Sequence, residues 1–205
     1  MFNNILKYTI QENDETVKSI LTEKLKFSGR LSRKLERNGK ILLNGKAVKL
    51  NKSIFAGDEL SIEFDEEEDR YDAVDMPLDI IYEDDDLLVV NKEPHMVVHP
   101  TRSHQNDTLA NGVAYYFKKN NIKRKVRFIN RLDMNTSGIV LIAKNPYIHN
   151  QMVLEMKSSM VEKYYYAIVE GLLEEDEGRI DVPITRLNPE DIIRTVHTSG
   201  KECIT

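Results

Sequence analysis

The spacing of apolar residues sorts this chain into elements of two periods. Val17, Ile20, Leu21 and Leu25 recur at helical spacing, and Ser28-Gly29-Arg30 interrupts them. Ser32 then reads as the cap of a second helix that passes Leu35 and Arg37 and stops at Asn38-Gly39. Residues 41–48 form a hairpin pattern around Asn44-Gly45, and residues 57–64 alternate like a closing strand. Further on, residues 78–82 and 87–91 predict two strands joined by an acidic turn, and residues 108–120 predict a helix despite Gly112. Residues 138–144 read as a buried strand. Asn145-Pro146 opens a helix to about Lys157, with Asn as cap and Pro at the first helical position. Residues 163–170 predict one more strand, ended by Gly171. The fold class is α+β with a largely antiparallel sheet.

Composition places the chain among globular proteins: 40% of its 205 residues are hydrophobic and 31% are charged. No apolar run approaches the about 20 residues of a membrane span, and Met1-Phe2-Asn3-Asn4 does not begin a secretion signal. A single cysteine, Cys203, fits a reducing cytoplasm and leaves no pair for a zinc ribbon or a redox couple.

The net charge of -5 conceals a strong segregation. From Lys18 to Lys52 eleven Lys/Arg face only Glu23 and Glu36; from Asp58 to Asp86 fifteen acids face only Arg70. Residues 118–131 carry seven bases and no acid. Phosphate affinity follows such local fields, because clustered Lys and Arg release counterions. The boundaries follow the charge: a basic unit to about residue 64 is followed by an acidic, solvated linker over 65–72, which divides the chain into domains 1–70 and 71–205. The basic helix face at Arg30, Arg33, Lys34 and Arg37 reads either as an RNA-contacting surface or as an ordinary solvated face.

Candidate chemistry concentrates at Arg131-Leu132-Asp133-Met134-Asn135-Thr136-Ser137-Gly138, a polar loop running directly into an apolar strand. Short hydroxyl side chains and backbone amides are expected to fold back on the Asp133 carboxylate. Asp133, Asn135, Ser137 and Gly138 also match positions 1, 3, 5 and 6 of a calcium loop. Its twelfth position needs a glutamate and holds Lys144, which argues against calcium. His95, His99 and His104 match no firm ligand spacing, so no metal is expected.

The run from Asn130 to Gly138 resembles the active-site loop of the RluA-type pseudouridine synthases, (His/Asn)-Arg-Leu-Asp-x-x-Thr-Ser-Gly. Residues 81–100 are similar to the family's opening motif, with Glu93 and His95 where Pro and Gly are usual. Residues 163–171 resemble its Lys-x-Tyr-x-Ala-x-Val-x-Gly strand, and Arg194 with residues 200–205 its later segment. Residues 1–64 resemble the small RNA-binding domain named after ribosomal protein S-four.

The resemblance implies an RNA pseudouridine synthase, acting on ribosomal RNA in the cytoplasm and needing no cofactor or metal. It makes Asp133 the catalytic nucleophile, attacking either ribose or the uracil ring, and Tyr165 the tyrosine that stacks on the target base. Tyr165 also reads as an ordinary core residue. Arg131 fills the space left by the base or holds a phosphate, or else forms a structural ion pair. RNA contacts fall on Arg30, Arg33, Lys34 and Arg37, and on Lys123, Arg124, Lys125 and Arg127. The family's Thr-Gly-Arg-x-His-Gln-Ile-Arg motif does not occur, which reads as C-terminal truncation. A catalytically silent RNA-binding protein is the competing reading.

Overall fold

A computed structural model describes residues 4–13, 15–158, 160–188, 190 and 193–205. It divides into two compact units, residues 1–162 and 163–205.

The first unit begins with β1 (Ile5–Thr9) and β2 (Glu15–Thr16). Thr16 and Ser19 then form a reciprocal capping box on α1 (Val17–Ser19), which continues as a π-type turn over Ile20–Lys24. Next comes α2 (Gly29–Arg37). Its cap is Ser28, whose hydroxyl accepts from Leu31 N at 3.2 Å; Ser32 lies one turn inside, buried. The expected cap was thus one turn late. Ser28-Gly29 reads locally as a break, yet an extended residue followed by a small one is how a helix starts. Gly39, at φ +66°, ends α2 as expected.

Strands β3 (Ile41–Leu43) and β4 (Lys46–Ala47) meet at Asn44-Gly45, both with positive φ, as a primed hairpin turn requires. With β5 (Ser53–Ile54) and β6 (Glu59–Glu63) the set is complete: β1-β6-β3-β4 make one antiparallel sheet, and β2 pairs with β5. Ile20, Leu21, Leu35, Ile41, Leu60 and Ile62 pack a continuous core between this sheet and the helical turns.

A second core follows. Strands β7 (Asp79–Glu83), β8 (Leu87–Lys92), β9 (Arg127–Phe128) and β10 (Gly138–Ala143) form an antiparallel sheet in the order β7-β8-β10-β9. Leu88, Val90, Val140 and Ile142 point from one sheet face onto Leu109, Val113 and Phe117 of α3 (Leu109–Lys119). Gly112 is tolerated in α3 because the helix runs against Met76, whose Cγ would lie 2.7 Å from an added Cβ. Asn145 and Pro146 open α4 (Pro146–Lys157) as the sequence predicts. This helix bridges the two cores. Tyr147 stacks on Phe27 at 4.5 Å, Gln151 donates to Leu25 O at 2.8 Å, and Asn145 donates to Asp86 at 2.7 Å.

The second unit holds β11 (Asp181–Thr185), β12 (Thr195–Val196) and β13 (Lys201–Ile204), ordered β12-β11-β13. Residues 163–170, expected as a strand, are irregular and exposed. Alternation alone does not make a strand; the backbone needs a ladder partner, and none pairs with this stretch among the described residues.

Candidate active site

The loop that carries Asp133 is an interruption between two paired strands. Phe128 pairs with Ile142, and Ile129 N still donates to Leu141 O at 2.8 Å. At Asn130 the side chain takes over from the backbone: its Oδ1 accepts from Leu141 N at 2.8 Å and its Nδ2 donates to Ile139 O at 3.0 Å. The chain is therefore released from the sheet while still anchored to it. Leu132 packs into the second core, and Arg131, Asp133, Met134 and Asn135 turn outward. Thr136 N closes the turn on Asp133 O at 3.1 Å, and Gly138, at φ +125°, brings the chain back into β10.

The carboxylate of Asp133 accepts no hydrogen bond among the described residues, contrary to the expectation that hydroxyls and amides would fold onto it. The turn is closed by its backbone instead. The acid is left exposed and open to a ligand.

Beneath the loop lies Lys92, 1% exposed, at the end of β8 opposite Gly138. Its ammonium donates to Glu93 O and Met96 O at 2.8 Å and to Met134 O at 3.1 Å. Those three bonds use all three protons of the group. Burial lowers the Lys92 pKa, and the nearby negative charge of Asp133 works the other way. Lys92 therefore ties the 93–96 turn to the residue after Asp133 and supplies a buried positive charge beside the carboxylate. A second stitch joins the same two loops: His95 Nδ1 lies 3.2 Å from Asn135 Oδ1. His95 adopts φ +63°, the left-handed conformation that the family's usual glycine at this place would supply without strain.

On the other side, His99 sits edge-on to Phe128 at 4.8 Å, and its Nδ1 lies 3.3 Å from Tyr71 Oη. Burial, then the charges of Arg131 and Arg70, lower its pKa below the ordinary histidine value. Arg131 is exposed and makes no hydrogen bond or ion pair among the described residues, so the expectation of a structural ion pair fails there. Tyr165 belongs to the second unit, 64% exposed in the irregular 163–170 stretch.

The basic residues fall into two groups. Arg30, Arg33, Lys34 and Arg37 form one exposed stripe along α2. They face a groove of about 710 Å³, whose other wall includes Arg127, His149 and Asn150. The 123–127 segment is instead engaged by the acidic linker. Glu66 pairs with Lys123 at 3.0 Å, Glu67 pairs with Arg127, and Asp69 accepts from Val126 N. Arg124 is buried and Lys125 is exposed. The linker, expected to be solvated, is thus a strap laid along the second core. Its acids find the bases of residues 118–131, which lie about 57 positions away and so leave no local trace.

Sequence reasoning centred on Asp133 and passed over the groups that hold it. Lys92 lies within residues 81–100, and nothing local marks a lysine that joins the nearby Glu93 and Met96 carbonyls to Met134 O, 42 positions away. Among the described residues no group of three or more His, Cys, Asp and Glu is arranged to hold a metal, and no helix is long and apolar enough to cross a membrane.

Residues 86–204 match the family described as RNA pseudouridylate synthase. The chain belongs to that family. An uncharacterized RNA pseudouridine synthase of Bacillus subtilis (strain 168) is 35% identical over 191 residues, which are 92% of this chain and 64% of that protein. Ribosomal large subunit pseudouridine synthase D of Haemophilus ducreyi is 31% identical over 170 residues, 82% of this chain and 52% of its own length. The chain thus spans less than two thirds of these relatives. A solved structure, human RNA pseudouridylate synthase domain containing 1, is 26% identical and covers 62% of this chain and 50% of its own, with a TM-score of 0.49. The pseudouridylate synthase match takes in β8 with Lys92, the Asp133 loop, β10, α4 and the second unit; residues 1–85 precede it.

Proposed function

We propose that this chain isomerises uridine to pseudouridine in RNA, with Asp133 as the catalytic group. The observation that carries the proposal is the Asp133 loop itself: an exposed carboxylate on a turn pinned from one side by Asn130 and from below by Lys92. Detaching uracil from ribose builds positive charge on the sugar, and a fixed carboxylate can trap it covalently or stabilise it. The alternative attack, on the uracil ring, uses the same group. Uracil is then turned and rejoined through carbon 5. Product and substrate are isomers, so the stoichiometry calls for no cofactor.

The target base must leave its stack to reach the loop. Arg131, exposed and without a hydrogen bond or ion pair among the described residues, is suited to fill the vacated space or hold a phosphate. Tyr165 is proposed to stack on the base, a role that rests on the family register. Ribosomal RNA is the proposed substrate, in the cytoplasm, on the strength of the relative named for the large subunit. Residues 1–70 are proposed as an S-four-like RNA-binding domain and residues 71–205 as catalytic-domain sequence. Backbone contacts are assigned to Arg30, Arg33, Lys34 and Arg37. In the second basic stretch Lys123, Lys125 and Arg127 are proposed to meet RNA at the surface, with the buried Arg124 supporting them.

Incubation with unmodified ribosomal RNA, digestion to nucleosides and chromatography test the proposal. Pseudouridine should accumulate with the wild-type chain and not with Asp133→Asn. Equal amounts from both would overturn the assignment of Asp133.

A further inference from the structure

The α2 stripe presents a physical problem that the fold does not solve internally. Arg30, Arg33, Lys34 and Arg37 stand at i, i+3, i+4 and i+7, so each has like-charged neighbours one turn away, an arrangement that destabilises a helix. None of the four is in an ion pair among the described residues. A fifth cation, Arg127, enters the same groove from the second core, and α4 contributes His149 and Asn150 to that wall. Only one acid, Glu67, lines the groove, and its carboxylate is spent on Arg127, both side chains being 16% exposed. Arg124, buried close by, also feels the Glu67 charge.

We propose that this groove between α2 and the N-terminal part of α4 is one RNA phosphodiester-binding site built by both cores, with the Glu67 carboxylate standing where an incoming phosphate would bind. The inference rests on the reading of the chain as an RNA-modifying enzyme and adds to it the union of α2, Arg127 and His149 in one groove and an internal competitor. From Arg30 to Arg37 the stripe runs about 10 Å along the helix, roughly the axial rise of three nucleotides in one strand of a duplex. Glu67 is carried on the linker, whose backbone is held separately by Glu67 N donating to Lys123 O at 3.0 Å. Its side chain is therefore able to yield to a phosphate while the linker stays in place. Arg127 then passes from a carboxylate to a phosphate, both of which its guanidinium binds in the same two-pronged way.

The test is the affinity of the full chain for a short fluorescein-labelled RNA hairpin, read by anisotropy across a salt series. All variants are placed on the Asp133→Asn background so that turnover has no part in the result. Glu67→Gln should tighten binding several-fold. Glu68→Gln, the same change of charge on a residue outside this groove, should shift it less than twofold. Arg33→Gln with Arg37→Gln should weaken binding at least tenfold and lower the slope of log affinity against log salt by about 1.5 to 2. Equal gains from Glu67→Gln and Glu68→Gln would overturn the competitor role. If Glu67→Gln unfolds the chain by thermal melt, His149→Glu decides the matter from the opposite wall: a loss of tenfold or more upholds the site, and unchanged affinity overturns it. Pseudouridine formation is read separately, so its absence would count against the enzyme reading and not against the groove.

Discussion

At the residue scale the site depends on side chains that stand in for backbone. Asn130 completes a strand ladder with its amide, and Lys92 gathers three loop carbonyls on one ammonium. Replacing Lys92 by Met removes that donor and its three bonds to the Glu93, Met96 and Met134 carbonyls, a loss of about 1–3 kcal/mol. A urea melt should show it, and turnover should fall through kcat while RNA affinity holds. A variant as stable and as fast as wild type would mean that Lys92 does not hold the loop. His99 offers a titration. Its pKa is depressed by burial first and then by Arg131 and Arg70. Between the depressed value and about 6.5 the unfolded chain binds the proton and the folded chain does not. The stability this histidine contributes is therefore intact above pH 6.5 and lost as pH falls through the folded value. Arg131→Gln should move the His99 midpoint upward in a proton NMR titration; an unmoved midpoint would mean that the arginine lies elsewhere. The acid itself was legible from Asp133 and its neighbours. Lys92 and Asn130 were not, because their partners lie up to 42 positions away.

At the element scale, local pattern served well wherever an element is decided by its own residues. Asn44-Gly45, Thr108 and Asn145-Pro146 each fix a turn or a helix start within a few positions, and the structure holds them as read. The Ser28 cap shows the limit, since Ser28 and Ser32 are equally suitable residues and only the geometry of the preceding chain selects one. Ser28→Ala should cost about 1 kcal/mol in thermal unfolding, as lost caps do. Ser32→Ala, which removes one hydroxyl bond to Ser28 O, should cost less. The reverse order would contradict the cap assignment. Strand β1 went unread because its burial alternates only between exposed and intermediate, so its apolar signal is weak. The 163–170 stretch erred the other way: Tyr164, Tyr166 and Ile168 alternate persuasively but lie almost fully exposed.

At the scale of the whole molecule, charge segregation along the sequence becomes attraction across the fold. The acidic linker lies on the 123–127 segment, and the basic stripe of α2 is left lining a groove without ion-pair partners among the described residues. Neither outcome is visible in a net charge of -5. Limited trypsin digestion should cut first at Lys163, at the exposed start of the second unit, and leave the two-core unit resistant. First cuts after the buried Lys92 or Lys144, at the ends of β8 and β10, would contradict the core assignment. The catalytic claim is tested most directly by release of tritium from RNA labelled at uracil carbon 5, since that hydrogen leaves only when the base rejoins the sugar through carbon 5. The wild-type chain should release tritium from unmodified ribosomal RNA, and Asp133→Asn should release none while its RNA affinity stays within about twofold. Release by Asp133→Asn at the wild-type rate would contradict the account.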